Sequence, residues 1–262
     1  MEIPSETKIG KFIRFIIFGR NVFCPDCKSR NVIRYEERFR CKKCRSKFSL
    51  LSHTWLSNLK IPLSDLWSVI WCFTAQIPVK QAVDLTGLSK KAIIYWYQTF
   101  RNNLPKEKIT LEAIIQLDEA YFGGFKGQAL LMAKQKGERK LAYKIFYGQD
   151  PTKLDAINFL KENIKPNSIL CTDGSVIYYN IEKHFPVTHI VDIHKAWEFT
   201  KTSEIEGMFG NLRTFIRRMY HHATPKNLES IVSEFSFRFT HPEIFKNPRI
   251  FLQITLCLVP TG

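Results

Sequence analysis

Four cysteines near the start of the chain constrain its fold more than any other feature of the sequence. They form two Cys-x-x-Cys pairs, Cys24 with Cys27 and Cys41 with Cys44, and 13 residues separate the pairs. Each pair can place two thiolates on one side of a tight turn, so two such turns can close a tetrahedral zinc site. The spacing therefore predicts a structural Zn²⁺ ion in a zinc ribbon over residues 21–50.

Two disulfides and a redox-active cysteine pair are the other interpretations of this spacing. The remaining cysteines, Cys72, Cys171 and Cys257, stand alone in apolar surroundings. Such a pattern suits a reducing compartment rather than a disulfide framework. A redox motif would not need the second pair, so we favour zinc. Zinc ribbons bind DNA, RNA and proteins alike, so the ribbon by itself does not identify a partner.

Positive charge is concentrated in the first part of the chain. The 262 residues carry a net charge of +15. Residues 1–110 hold 20 Lys and Arg against 8 Asp and Glu, whereas residues 111–262 hold 19 against 16. Such an excess favours a polyanionic partner, nucleic acid first and an anionic membrane surface second. We therefore expect the first part to bind double-stranded DNA and the nearly balanced second part to be an enzyme body.

Residues 1–20 form a lead-in to the ribbon. The segment 12–18 is apolar, but Arg14 interrupts it and Arg20 follows. This segment is too short for a signal peptide, and no run in the chain reaches the roughly 18 apolar residues that cross a bilayer. We expect a short amphipathic segment and no membrane partner. The expected location is the cytoplasm, on the nucleoid in a prokaryote, or the nucleus of a eukaryote.

A helical pattern follows over residues 60–104. Apolar residues recur at helical spacing, Gly87 breaks the pattern, and Ser89 can cap a last helix. Three short helices with a glycine turn before the last one are typical of a helix-turn-helix, although a plain three-helix bundle shows the same pattern. Beside a basic ribbon we favour a DNA-binding domain. Its last helix would present four residues to DNA, namely Lys90, Lys91, Tyr95 and Arg101.

A second domain is predicted over residues 111–262, after a polar linker over 102–110. Apolar runs typical of strands occur in IIQLD, LAYKIFYG, SILCTDG and VTHIV. Helical patterns cover PTKLDAINFLKENI, SEIEGMFGNLRTFIRRMYHH and about Pro225–Phe239. The stretch 125–150 is less regular than its neighbours. Strands interleaved with helices predict an α/β sandwich.

Three acids in this domain stand out by position. Asp118 ends one apolar run, Asp173 ends another, and Glu206 lies in a predicted helix 33 residues later. Two-metal phosphodiester cleavage needs hard oxygen ligands from separate elements that converge on Mg²⁺ or Mn²⁺. Each acid has another interpretation: a turn residue, a helix cap or a surface acid. Glu119 could support the metal-binding acids from beside Asp118, but strand alternation predicts that it points the other way. Glu204 projects about 200° from Glu206 on a helix.

Several long segments resemble the small insertion-sequence transposases related to the Merlin elements. They run from about Phe23 to Phe239 and comprise CPDC and CKKC with the following KFSLLSHTWLSNLKIPLSDLW, then LDEAYFGG, TDGSVIYYN and IEGMFGNLRTFIRRMYHHATPKNLESIVSEFSFRF. The last segment is the longest and the most specific. The resemblance implies a ribonuclease H-like fold, with a mixed sheet and flanking helices, for residues 111–262.

The resemblance also implies a catalytic role for the three acids. In that family the Asp of LDE, the Asp of TDG and the Glu of IEG form a DDE triad, which corresponds here to Asp118, Asp173 and Glu206. The triad would bind Mg²⁺ or Mn²⁺ for DNA strand cleavage and transfer. A basic residue seven positions after the Glu is also typical, and Arg213 fills that position, two helical turns further along the same face. It could bind a DNA phosphate.

The sequence departs from the family in places. Lys201 and Ser203 stand where relatives often carry His and Asn, and Phe239-Thr240 replaces Tyr-Asn. A catalytically inactive or domesticated DNA-binding regulator is therefore the main rival to an active transposase, and a zinc-ribbon partner of the transcription machinery is another. The three retained acids favour the transposase, which we expect to act on terminal repeats and target DNA as a homodimer or larger assembly.

Overall fold

The computed structural model describes residues 2–122, 127–192 and 202–256. The chain divides into two compact units, one of Met1–Pro105 with Glu243–Gly262 and one of Lys106–Pro242. The boundary predicted from the sequence assigned all residues after 110 to one domain. In the structure, the described residues from 243 onward belong to the first unit instead.

The first unit begins with a helix and a small sheet. The apolar lead-in is helix α1, Glu6–Phe18. The ribbon sheet is antiparallel in the order β1-β2-β3. Phe18, the last residue of α1, packs against the rings of three ribbon residues, Phe23, Phe39 and Phe48. The ribbon strands are Val32–Tyr35, Arg38–Cys41 and Lys47–Phe48.

Helices complete the first unit. The helix over Lys90–Asn102 begins at Ser89, whose side chain accepts a hydrogen bond from the Ala92 N–H. Gly87 ends the preceding helix with a φ of 70°, a left-handed conformation that glycine adopts without strain. We label these helices α2, α3 and α4, and the helix near the end of the unit α8. Their bounds are Leu63–Thr74, Val79–Thr86, Lys90–Asn102 and Pro248–Thr255.

Aromatic packing joins α8 to α2 and α4. The ring of Phe251 in α8 lies 5.7 Å from that of Phe73 in α2 and 5.6 Å from that of Phe100 in α4, centroid to centroid. All three side chains are fully buried. The apolar period of α8 thus completes the core that the three helices begin.

A mixed five-stranded sheet forms the centre of the second unit. Its order is β6-β5-β4-β7-β8. Strands β4, β5 and β6 are antiparallel, whereas β4, β7 and β8 run parallel. This is the arrangement of a ribonuclease H-like sheet. The strands are Ile114–Phe122, Gln128–Gln135, Leu141–Phe146, Ser168–Thr172 and Val187–Val191.

The sequence predicts a strand at LAYKIFYG, which is β6, but the described residues before it, expected to be less regular, form strand β5. Strands β5 and β6 are regular and paired from Ala129 opposite Phe146 to Lys134 opposite Leu141. Every residue of β5 is buried, because the strand lies inside the sheet. Its apolar run therefore shows no alternation, which is usual for a strand covered on both faces.

Helices cover both faces of the sheet. Helix α5, Lys153–Asn163, packs on the face that bears Ile115 and Leu117. Helices α6, Ser203–Tyr220, and α7, Pro225–Thr240, contact β4, β5 and β6. Successive strand residues point to opposite faces, so Gln116 and Asp118 lie on the side of α6. No helix among the described residues is long and apolar enough to cross a membrane.

Candidate active site and metal sites

The four ribbon cysteines converge on one point. Their Sγ atoms all lie within 4.8 Å of one another, and Cys24 to Cys44 and Cys27 to Cys41 are both 3.5 Å apart. Four sulfurs at about 2.3 Å from a tetrahedral zinc ion are separated by about 3.8 Å. The cluster therefore fits the zinc ribbon predicted from the spacing.

The local backbone explains why the sulfurs converge. The residue after each pair, Lys28 or Arg45, has a positive φ, 59° and 64° respectively, and this turns each pair back on itself. The Cys44 N–H donates to Cys41 Sγ at 3.5 Å, and this bond is the largest of several causes that lower the pKa of Cys41 to about 6. Burial raises the pKa of Cys24 in the same cluster. A stabilised thiolate is the form that binds zinc.

Asp118 and Asp173 meet at the edge of the second unit's sheet. Asp118 lies within β4, which continues to Phe122, so it does not end the strand as the sequence suggested. Asp173 directly follows β7, the parallel neighbour of β4. Carboxylate oxygens of Asp118, Glu119 and Asp173 all lie within 4.8 Å of one another. Such a group of hard oxygen ligands could hold a divalent metal ion.

The prediction that Glu119 points away from this group is wrong. Its backbone does alternate with that of Asp118, but the last residue of β4 paired with β7 is Gln116, opposite Cys171. Beyond that pair, β4 is not paired with β7. The longer Glu119 side chain therefore reaches Asp173, and it accepts hydrogen bonds from Ser175 Oγ and Tyr178 OH.

Burial and mutual repulsion govern the protonation of these acids. Burial, as the largest cause, and the charges of Asp173, Glu119 and Glu206 together raise the pKa of Asp118 to about 7. Burial also raises the pKa of Glu119, with a contribution from Asp173. Ionised carboxylates this close are unfavourable without a compensating cation.

Glu206 lies in the first turn of α6. It is not a member of the 4.8 Å group in the part of the chain that the structure describes, but its charge contributes to the raised pKa of Asp118. Glu206 Oε1 accepts a hydrogen bond from Thr202 Oγ1 at 3.1 Å, and that hydroxyl lies 3.2 Å from Asp192 Oδ2. Asp192 directly follows β8. Acids from β4, β7, β8 and α6 thus gather at one edge of the sheet.

Two contacts fix the start of α6 on the sheet. The fully buried Gln116 accepts a hydrogen bond from the Ile205 N–H at 2.9 Å, which satisfies a first-turn amide that has no partner within the helix. Glu204 pairs with Lys134 of β5 and accepts from the Gly137 N–H. The Lys134 bond is the main cause that lowers the pKa of Glu204. Glu204 thus faces β5, whereas Glu206 faces Thr202.

The predicted DNA-facing residues have different environments. Lys90, Lys91 and Tyr95 are exposed on α4. Arg101, in the last turn of α4, is buried with 7% exposure, contrary to expectation. Arg213 is exposed on α6, and its guanidinium lies 5.5 Å from the ring centroid of Phe122. Of the family departures, Ser203 begins α6, and Lys201 lies outside the described residues.

One face of the ribbon sheet is basic and uncovered within the first unit. The pairing places Ile33 opposite Arg40 and Tyr35 opposite Arg38, and Arg40 opposite Lys47. Alternation puts these residues on one face, and Lys47 Nζ lies 4.7 Å from the Tyr35 ring centroid. The opposite face bears Phe39 and Phe48, which pack on Phe18. The outward face therefore combines three cations with an exposed aromatic ring.

Comparisons with known proteins identify the family. The family model described as ISXO2-like transposase domain matches residues 110–240, half of the chain. The chain therefore belongs to the ISXO2-like transposase family. A Halobacterium salinarum protein, described as an uncharacterized protein in transposable element ISH50, is 24% identical over 131 residues. That match covers 47% of this chain and 45% of the relative, so the chain spans less than half of the relative's length.

A solved structure also shows similarity. It is the cryo-EM structure of the simian T-cell lymphotropic virus intasome in complex with PP2A regulatory subunit B56 gamma. The match has a TM-score of 0.38 at 14% identity and covers 65% of this chain and 67% of that chain.

Proposed function

We propose that this chain is an insertion-sequence transposase that cleaves and joins DNA strands through a divalent-metal site built on Asp118, Asp173 and Glu206. The convergence of Asp118 and Asp173 carries the proposal, because their carboxylate oxygens lie within 4.8 Å in a chain of a transposase family. The position of Glu206 at the start of a helix anchored to β4 by Gln116 supports its inclusion.

The donor set fits Mg²⁺ or Mn²⁺. Among the described residues, the ligand atoms of the acidic group are all carboxylate oxygens, which these hard cations prefer. A bound pair of ions would activate the attacking hydroxyl and stabilise the leaving oxygen. Asp118 and Asp173 would hold the ions at the sheet edge, and Glu206 would complete the set from α6. Thr202 and Ser175 would orient Glu206 and Asp173.

The cysteine cluster would hold a structural Zn²⁺ ion. All four ligand positions are thiolates, as in closed structural sites, whereas catalytic zinc keeps one position open. The ion would fix the ribbon sheet on α1, since Cys41 ends β2 and Phe39 in the same strand packs on Phe18. Loss of zinc should therefore loosen the first unit and leave the acids of the second unit in place.

Two surfaces of the first unit would bind double-stranded DNA. The first is the exposed side of α4, with Lys90, Lys91 and Tyr95, which can enter the major groove as a recognition helix does. The second is the outward ribbon face with Arg38, Arg40 and Lys47. Arg213 would bind a phosphate near the acids. The terminal repeats of an element and its target would be the substrates, and a homodimer or larger assembly would hold both element ends.

A cleavage assay tests this function. Full-length zinc-loaded protein is incubated with DNA that carries the sequences flanking its own gene, with Mg²⁺ or Mn²⁺. We expect metal-dependent strand cleavage that is lost in Asp118→Ala, Asp173→Ala and Glu206→Gln, while DNA binding persists. Glu162→Gln, which changes an exposed acid of α5, is the control and should still cut. DNA binding without cleavage in either metal would favour the regulator derived from a transposase.

A binding assay tests the two DNA surfaces. Replacing Arg38, Arg40 and Lys47 by Ala should reduce the salt slope of log K by about 2–3, since each lost phosphate contact removes about 0.9. Lys90→Ala with Lys91→Ala should reduce it by about 2. Replacing the exposed Lys161 and Lys183 of the second unit is the control. An unchanged slope in either surface variant would remove that surface from the proposal.

A further inference from the structure

Ser175 connects two of the acids at the sheet edge. Its backbone N–H donates to Asp173 Oδ1 at 3.0 Å, and its Oγ donates to Glu119 Oε1 at 3.1 Å. The first bond orients the Asp173 carboxylate, and the second attaches the Asp173 loop to β4. Asp173 follows the last residue of β7, so the sheet ladder itself does not hold its side chain.

Tyr178 holds the other oxygen of Glu119. Its hydroxyl donates to Glu119 Oε2, and its ring, 1% exposed, lies in the core between the sheet and α5. The turn Val176–Tyr178 is thus anchored at its far end by core packing and at its near end by Ser175. Both Glu119 oxygens are engaged by donors from the segment that begins with Asp173.

We propose that Glu119 is a positioning residue for Asp173. It accepts hydrogen bonds from Ser175 and Tyr178, and these hold the loop so that the Asp173 carboxylate faces Asp118. This proposal rests on the proposed function, because positioning matters only if Asp118 and Asp173 act together. The alternative is that Glu119 binds the metal directly, which its distance from Asp118 and Asp173 also allows. The positioning role needs the hydrogen bonds from Ser175 and Tyr178, whereas the direct role does not.

Variants of the donors separate the two roles. If Glu119 positions the loop, Ser175→Ala and Tyr178→Phe should each weaken Mn²⁺ binding and cleavage, by about tenfold. Glu119→Gln, whose amide oxygen can still accept from Tyr178, should lose less than Glu119→Ala. A direct ligand would give near-normal Ser175→Ala and Tyr178→Phe proteins, and Glu119→Gln would lose as much as Glu119→Ala.

The measurement is Mn²⁺ titration of the full-length zinc-loaded protein, followed by calorimetry or electron paramagnetic resonance, with cleavage as a second readout. Weakened Mn²⁺ binding by Tyr178→Phe alone separates positioning from direct ligation. A second variant, Glu119→Ala with Tyr178→Phe, tests whether that loss acts through Glu119. Positioning predicts that it is no weaker than Glu119→Ala alone, since both changes break one interaction. Additive losses overturn the proposal, as does normal Mn²⁺ affinity in all variants. Thermal unfolding checks that Tyr178→Phe, which keeps its ring in the core, still folds.

The test keeps this proposal distinct from the proposed function. If Asp118→Ala retains cleavage, the proposed function fails, whatever the Glu119 variants do. If Asp118→Ala is inactive but the Ser175 and Tyr178 variants bind Mn²⁺ normally, the function stands and the positioning role of Glu119 is wrong.

Discussion

Asp118 and Glu119 are neighbours in one strand, yet their carboxylates reach the same group. Alternation describes their backbones correctly, because Gln116 and Asp118 lie on the α6 side and Leu117 on the α5 side. Two features decide where the Glu119 carboxylate lies: the length of its side chain and the residue at which β7 stops pairing with β4. Neither the end of a strand nor its partner's register can be obtained from a single sequence, so this acid was predicted to point away. The residues involved all lie in the LDEAYFGG and TDGSVIYYN segments. Their presence beside Asp118 and Asp173 in these two segments was the only signal.

The raised pKa of Asp118 gives a stability prediction at the residue scale. The folded protein protonates this carboxyl near pH 7, whereas the unfolded chain has the ordinary value of 3.8. The folded state therefore binds more protons between these pH values, and its stability falls as pH rises from about 4 to 7. In Asp118→Asn that loss should disappear.

Thermal unfolding at pH 5 and pH 8, with zinc but without Mg²⁺ or Mn²⁺, measures this effect. We expect Asp118→Asn to unfold at a higher temperature than the unmodified protein at pH 8, by roughly 4 °C for each 1 kcal/mol. Added Mn²⁺ should stabilise only the unmodified protein. If the unfolding temperature changed with pH in the same way in both proteins, the Asp118 carboxylate would not be destabilising in the folded state.

At the scale of elements, the sequence predicted most helices and strands. Local signals sufficed where they were strong, as at Ser89 before α4 and Gly87 after α3. The described part of 125–150 looked irregular only because β5 is buried on both faces and lacks the alternation that marks an ordinary strand. Helix α8 was missed, because eight residues give too short an apolar period to distinguish a helix from a core segment.

The anchoring of α6 gives a prediction for this element. Gln116→Leu removes the acceptor of the Ile205 N–H and leaves that amide buried, which costs about 1–3 kcal/mol. The start of α6 should then shift, and Glu206 with it, so cleavage should fall by about 10- to 100-fold, as for other residues that orient metal ligands.

Gln135→Leu is the matched control for this variant. Gln135 is also buried, and its Oε1 accepts from the Glu112 N–H at 3.1 Å. That bond holds the segment before β4 and not α6. Its loss should lower stability by a similar amount while cleavage persists. Equal cleavage by the two variants would mean that α6 does not depend on Gln116.

At the scale of the whole molecule, the sequence predicted the order of the modules but not the limits of the units. The segment from 243 joins the first unit through contacts far apart in the chain, such as Phe73 with Phe251. No local pattern reveals such a return. A fragment that ends near Asn103 would lack α8 and would expose the rings of Phe73 and Phe100. DNA binding by the first unit is therefore best measured on the full chain.

The return of the chain gives a stability prediction. Phe251→Ala should destabilise the first unit by about 3–5 kcal/mol, the usual loss for a fully buried Phe. Ile254→Ala, on the same helix but 46% exposed, is the control and should change stability little. Hydrogen exchange resolved by peptide can follow the two units separately. Loss of protection in the second unit alone after Phe251→Ala would contradict this division.

Diffraction from crystals that contain Mn²⁺ tests the central claim most directly, because anomalous scattering locates each ion. We expect two Mn²⁺ ions about 3.5–4 Å apart at the sheet edge. Asp118 should bind both, and Asp173 and Glu206 should bind one each. Crystals of Asp118→Asn should show neither ion. Mn²⁺ bound elsewhere, or no ion near Asp118 and Asp173 at saturating concentration, would contradict a transposase mechanism for this chain.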